Sequence, residues 1–301
     1  MLPQGKFPPK VFINGEIHSS EEARISVFDR GFLFGDGIYE VMVQLENGIF
    51  YKKAHLDRLQ NNLNKIHIAF NVKEVERNLE PLFRASGLVD KSCLIYMQVT
   101  RGIAARKHAY PKEATPSVMM YALPYALPKV NPNKMNAILV PDVRWHRCDI
   151  KSVSLLGNIM ANEAAMNNGV DEAALVRDGV ITEGSHTNIF FVKDGTVITH
   201  PANEHILNGV TRMIVIQLCH ELGIPVLEQA VIENEIEQMD EAFFTGTTTQ
   251  VAAIAKLGNH VYFHGEQVGA VTLRLQQAFG KLRSKETSAL TFETYINPQT
   301  I

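Results

Sequence analysis

The chain has 301 residues, 46% of them hydrophobic and 20% charged, which is ordinary globular composition with apolar material for a sizeable core. Its net charge of −3 gives no support to nucleic-acid or membrane binding, and no apolar run approaches the length that crosses a bilayer. Cys93, Cys148 and Cys219 are scattered and form no CxxC pair, so neither a disulfide framework nor a metal site is expected. Met1 to Lys6 lack the apolar core of a secretory signal, and the plain expectation is a soluble cytoplasmic protein.

The first predicted element is a hairpin: Val11-Phe12-Ile13 and Glu16-Ile17-His18 flank Asn14-Gly15, a dipeptide suited to the positive φ angles of a tight turn. A second hairpin runs from Tyr39 to Leu45, turns at Asn47-Gly48 and returns through Ile49-Phe50-Tyr51. Leu56, Leu59, Leu63 and Ile66 repeat at helical spacing, and Val75 to Ala85 repeats the pattern more weakly. Leu94 to Thr100 and Val118 to Leu123 are strand-like. This first part reads as an α+β unit with helices on a mostly antiparallel sheet.

Three prolines between Ala122 and Asn133 mark the best linker, because proline resists helix interiors and central strands alike. A strand at Ala137 to Val140 and a helix at Leu155 to Asn167 follow. Two strand pairs then turn at Asp178-Gly179 and Asp194-Gly195, ahead of a helix at Val210 to Leu222, further strands and a last helix at Val271 to Leu282. The expected organisation is a small domain over 1–121, a linker over 122–133, a large domain over 134–282 and a partly mobile polar tail over 283–301.

Lys151 stands between a predicted strand and a helix, where a lysine can reach into a cleft; by position alone it reads more readily as a solvated surface residue. Glu183, in Thr182-Glu183-Gly184-Ser185-His186-Thr187-Asn188, is a carboxylate able to pair with a protonated ring nitrogen, and the stretch reads equally as a polar hairpin loop. Val210 and Thr211 open a helix whose free N–H groups suit an anion, or simply cap it. Thr247 and Thr248 close a hydroxyl-rich turn, and Arg58 offers a guanidinium from a helix. Arg101, Arg106 and His108 concentrate positive charge after a strand, in a pattern suited to a carboxylate.

In order, Asp29-Arg30-Gly31, Phe34 to Glu40, Arg101 to His108, Asp149 to Ser152, Thr182 to Ser185, Gly209 to Arg212 and Thr247-Thr248 resemble the motifs of fold-type IV (class IV) pyridoxal-phosphate aminotransferases, and specifically D-amino acid transaminases. The resemblance covers about residues 10 to 282. It implies a two-domain α+β fold, with a small α/β domain and a larger, β-barrel-like α/β domain that binds pyridoxal 5'-phosphate. It also implies that Lys151 forms a Schiff base with the cofactor and moves the α-proton, that Glu183 partners the pyridine nitrogen, and that Arg58, Val210, Thr211, Thr247 and Thr248 hold the phosphate. Tyr39, Arg106 and His108 match the trap for the substrate α-carboxylate, with Arg106 and His108 supplied across a homodimer with shared sites. Tyr96 matches a further position near the substrate.

The implied reaction moves an amino group between a D-amino acid and a 2-oxo acid, such as D-alanine or D-glutamate with 2-oxoglutarate or pyruvate. Rivals of the same fold type are a branched-chain L-amino acid transaminase and aminodeoxychorismate lyase; a more distant one is a non-catalytic homologue that binds the cofactor. The Arg106-Lys107-His108 triplet favours the D-amino acid branch. His186 falls where those transaminases have a serine-rich stretch, and we expect its imidazole to point to solvent.

Overall fold

In the computed structural model, which describes residues 7–46, 48–130 and 133–284, the chain divides into two compact units, one ending at Tyr125 and one spanning Ala126–Ser284. The Asn47 turn position and the tail beyond Ser284 lie outside the described residues.

The first unit is built on a six-stranded sheet of order β2-β1-β6-β5-β3-β4, antiparallel at every pairing. β1 (Lys10–Ile13) and β2 (Glu16–Ser19) turn at Asn14 (φ 50°) and Gly15 (φ 101°), the left-handed backbone that this dipeptide tolerates. β3 (Gly37–Leu45), β5 (Cys93–Thr100) and β6 (Ser117–Pro124) carry the sheet's centre, and β4 is only Gly48–Ile49. The return strand is shorter than its sequence implies, because Tyr51 adopts φ 50° and opens α2 (Lys52–Lys65).

Strand alternation sorts the sheet into two faces. Ile95, Met97, Val99, Val118, Met120 and Ala122 are buried, whereas Tyr96, Gln98, Met119 and Tyr121 are half-buried on the other side. The helices are amphipathic in the same sense. α2 buries Leu56, Leu59 and Leu63, and α3 (Lys73–Ser86) buries Val75, Leu79, Leu82 and Phe83. Each fully buried leucine contributes about 2 kcal/mol relative to exposure.

A five-residue helix, α1 (Arg30–Phe34), is not apparent from periodicity. It is too short for a repeat, yet both of its ends are marked: the Asp29 side chain accepts from the Gly31 N–H, and Gly35 takes φ 68° at the C-terminus.

The second unit centres on a ten-stranded mixed sheet of order β12-β11-β10-β14-β15-β7-β8-β9-β13, with β16 beside β15. Its strands are β7 (Lys134–Pro141), β8 (Glu172–Arg177), β9 (Val180–Gly184), β10 (Asn188–Lys193), β11 (Thr196–Thr199), β12 (Val226–Glu228), β13 (Val231–Ile232), β14 (Glu241–Gly246), β15 (Gln250–Leu257) and β16 (His260–Val261). The β8–β9 and β10–β11 turns have positive φ at both central residues, Asp178-Gly179 and Asp194-Gly195. β7 runs parallel to both neighbours, and β8 reads as a continuous buried run, as a covered parallel strand should.

α4 (Leu156–Asn167) lays Ala161 and Ala165 on Ala173 and Leu175. α5 (Val210–Glu221) and α6 (Ala270–Ser284) pack on each other and on β14, while Phe191, Phe244, Ile254 and Leu257 fill the main core. A 3-10 turn at Glu233–Gln238 and the short strands β12 and β13 complete the unit. No helix among the described residues is long and apolar enough to cross a membrane.

Candidate active site

Lys151 lies in the loop between β7 and α4. That loop is fixed by local backbone bonds and by longer ties, among them the Asp142 N–H to the Val176 carbonyl at 2.7 Å and the Cys148 N–H to the Glu204 carbonyl at 2.8 Å. Cys148 and Ile150 point into the protein, and Lys151 beside them is partly exposed.

Glu183 sits near the end of β9 and is 5% exposed. Its Oε1 accepts from Arg144 Nη1 at 2.5 Å, and its Oε2 accepts from Asn188 Nδ2 and the Leu207 N–H, each at 3.0 Å. Arg144 is itself forked onto Asp142 through Nε and Nη2, both at 2.9 Å, and Arg177 Nη2 lies 3.0 Å from the Oδ2 that Arg144 Nη2 also reaches. Burial pushes the Glu183 carboxyl up to about 7, against the pull of Arg144 and of the Leu207 N–H. The Arg144 guanidinium, despite its own burial, is held above its ordinary range by Asp142 and Glu183. Arg144 is therefore a fixed cation, and Glu183 is the member of the pair whose charge can change.

Asn188 joins two parts of the site. Its Nδ2 also donates to the Leu207 carbonyl at 2.8 Å, and a Cβ on Gly209 would collide with its Oδ1 and displace the amide. Gly209 leads directly into α5. No side chain caps this helix, so the N–H groups of its first turn have no side-chain acceptor from the cap position. Asn188 pairs with Thr245 across β10 and β14, which brings the Thr247-Thr248 turn to the same end of the sheet. Both threonines are half-buried, and Gln250 Nε2 donates to the Thr247 carbonyl at 2.7 Å.

His186 does not simply face solvent. Half of its side chain is exposed, but Nδ1 lies 3.0 Å from both Ser185 Oγ and Oε2 of the fully buried Glu172. Glu172 also accepts from the Ser185 N–H and hydroxyl and from the Thr187 hydroxyl, and so clamps the loop that follows Glu183.

In the first unit, Arg58 is forked onto Glu40, with Nε to Oε2 at 2.8 Å and Nη2 to Oε1 at 2.7 Å, and His55 Nδ1 lies 3.1 Å from the same carboxylate. Burial alone would raise the Glu40 carboxyl, yet Arg58 and His55 hold it well below the usual range. Tyr39 and Tyr96 stack on the half-buried face of the sheet, with ring centroids 5.8 Å apart.

Arg106 and His108 flank one ring: the Arg106 guanidinium lies 5.2 Å from the Phe34 centroid and the His108 imidazole 5.7 Å from it. The loop that carries them is pinned by buried Arg30, which donates to the Lys107 carbonyl at 2.6 Å and to Asp36 at 2.7 Å. Arg101 completes the anchor by donating to both Asp36 oxygens and to the Ile66 and His67 carbonyls. Gly102 (φ 91°) starts the loop where any Cβ would overlap the Thr115 carbonyl. Arg101 is thus a structural anchor of the basic segment, and Arg106 and His108 are its exposed cationic and titratable members.

Sequence reasoning passes over Arg144, Asp142 and Glu172 because none stands in a recognisable spacing. Arg30, Asp36, Glu40 and Asn188 lie inside the motif stretches without a role of their own. Their signal is a charged or polar side chain inside the protein, which only burial makes visible.

Comparison with known proteins identifies the family. The model of the amino-transferase class IV family matches residues 37–257. The D-alanine aminotransferase of Bacillus licheniformis is 38% identical over 283 residues, covering 93% of this chain and 99% of the relative. Among solved structures, the branched-chain aminotransferase of Thermoproteus uzoniensis with norvaline superposes with a TM-score of 0.81 at 26% identity, covering 92% of this chain and 96% of that one. The branched-chain amino acid aminotransferase of Thermobaculum terrenum in its PLP form gives 0.80 at 26% identity, with 91% and 94% covered. The chain belongs to the class IV aminotransferase family.

Proposed function

We propose that the protein is a pyridoxal-phosphate-dependent transaminase that moves an amino group between a D-amino acid and a 2-oxo acid, working as a homodimer with shared sites. The observation that carries the reading is Glu183, a buried carboxylate held by Arg144, Asn188 and the Leu207 N–H. Arg144 belongs to the loop that carries Lys151, and Leu207 stands just ahead of the α5 N-terminus. Full-length identity with D-alanine aminotransferases supports the D-preference.

The residues present fit the cofactor. A lysine, a buried carboxylate beside an arginine, an uncapped helix start and two threonine hydroxyls are the set that an aldehyde, a pyridine nitrogen and a phosphate call for. When bound, pyridoxal phosphate supplies the reactive aldehyde and the electron-withdrawing ring. Lys151 holds it and, once its amine is free, takes up the proton from the substrate α-carbon at Nζ. Glu183 keeps a proton on the ring nitrogen by offering it a negative partner. Val210, Thr211, Thr247, Thr248 and Arg58 bind the phosphate. Tyr39, Arg106 and His108 take the substrate α-carboxylate, and Tyr96 borders the substrate.

The test is Lys151→Ala. It should abolish transamination of D-alanine with 2-oxoglutarate, a loss of about a thousandfold or more, together with the borohydride-sensitive near-ultraviolet and visible absorption of the holoenzyme. Full turnover in this variant would overturn the reading.

A further inference from the structure

Tyr39, Tyr96 and Tyr121 stand in a row across β3, β5 and β6 on the half-buried face of the first unit's sheet, and Tyr121 has no part in the chemistry assigned so far. Register produces the row: Tyr96 lies opposite Tyr121 on one side and Val41 on the other, and Tyr39 follows one step diagonally. The rings are nearly parallel, with centroids 5.8 Å apart and planes at 21° for Tyr39–Tyr96, and 5.0 Å and 13° for Tyr96–Tyr121. Tyr96 is fixed at its far end as well, since its hydroxyl donates to Gln98 Oε1 at 2.8 Å.

Tyr39 is at the edge of this array. β4 pairs only with Gln44 and Leu45 of β3, so among the described residues no strand lies beyond β3 at the level of Tyr39. Across the sheet Tyr39 faces Gln98 directly and stacks diagonally on Tyr96, and Tyr96 is held in turn between Tyr39 and Tyr121. A phenol that binds a carboxylate must keep its oxygen in place to a fraction of an ångström, and a stack of rings with few rotatable bonds does this at small entropic cost.

We propose that Tyr121 is a positioning residue for substrate binding, holding the Tyr39 phenol through Tyr96. The inference rests on Tyr39 being a ligand of the substrate α-carboxylate. Tyr121 uses its ring and not its hydroxyl. Because the Tyr39 contact is made to substrate and transition state alike, its loss acts on KM more than on kcat.

Steady-state kinetics of the holoenzyme with D-alanine and 2-oxoglutarate decide the matter. Tyr121→Ala should raise the KM for D-alanine about two- to tenfold, the equilibrium weight of one aromatic contact, with kcat and the cofactor absorption spectrum little changed. Tyr121→Phe should behave as wild type, and Tyr121→Leu, which keeps apolar volume and guards against misfolding, should follow the alanine variant. Tyr39→Phe should raise KM, and adding Tyr121→Ala to it should raise KM no further. An unchanged KM in Tyr121→Ala and Tyr121→Leu beside a raised KM in Tyr39→Phe would overturn the positioning role alone, as would effects that multiply in the double variant. An unchanged KM in Tyr39→Phe would instead remove the carboxylate reading on which it rests.

Discussion

Each unit buries one glutamate against an arginine, and the two pairs are pushed in opposite directions. Glu40 in the first unit faces Arg58 and His55, and the two together outweigh its burial, so its carboxyl stays ionised far into acid. Glu183 in the second unit faces an arginine already committed to Asp142, so burial wins and its carboxyl rises to about 7. The first arrangement locks a charge in place. The second leaves a carboxylate short of positive charge, which suits a group whose partner is a cationic ring.

The largest effect should come from breaking the locked pair. Glu40→Ala leaves the Arg58 guanidinium without its buried carboxylate, and removing one member of such a pair costs about 3–5 kcal/mol. Denaturant unfolding should show this as a lower midpoint at unchanged slope. Glu183→Gln should cost less in the same experiment, because Arg144 keeps Asp142. Its larger consequence should be catalytic: loss of the ring partner should lower kcat by about a hundredfold or more. If Glu183→Gln destabilised the fold as much as Glu40→Ala did, the contrast between a charge-locked pair and an unlocked one would fail.

Acidity gives a smaller effect of opposite sign at the two sites. Glu40 has a depressed carboxyl, so its stabilisation is present above the ordinary value of 4.5 and is lost as pH falls through its lower folded value. Glu183 has a raised one. Between 4.5 and about 7 the unfolded chain is ionised there while the folded chain holds its proton, so stability declines as pH rises through that window. Chemical unfolding across that window should show the decline in wild type and its loss in Glu183→Gln.

Much of the frame was legible in the sequence, for local reasons. Asn14-Gly15, Asp178-Gly179 and Asp194-Gly195 specify their turns through residues that tolerate positive φ, and Leu56, Leu59 and Leu63 mark one buried helix face. α1 escaped because five residues carry no period, although Asp29 and Gly35 cap it. The strands expected after α5 have no readable bounds in the sequence: β12 and β13 pair with β11 and β9, distant in sequence, and two or three residues show no alternation. At the site, the motif residues were visible as types, but the forces on them were not. That Arg144 is spent on Asp142, that Arg30 pins the Arg106–His108 loop, and that His186 docks on Glu172 are all consequences of burial.

The central claim is the handedness of the substrate, and paired assays of the purified holoenzyme with the D and L forms of alanine, glutamate and leucine against 2-oxoglutarate test it most directly. We expect turnover with D-alanine or D-glutamate and little with any L form. Turnover confined to L-leucine or other branched L-amino acids would contradict the account and place the activity with the branched-chain transaminases whose fold the chain shares.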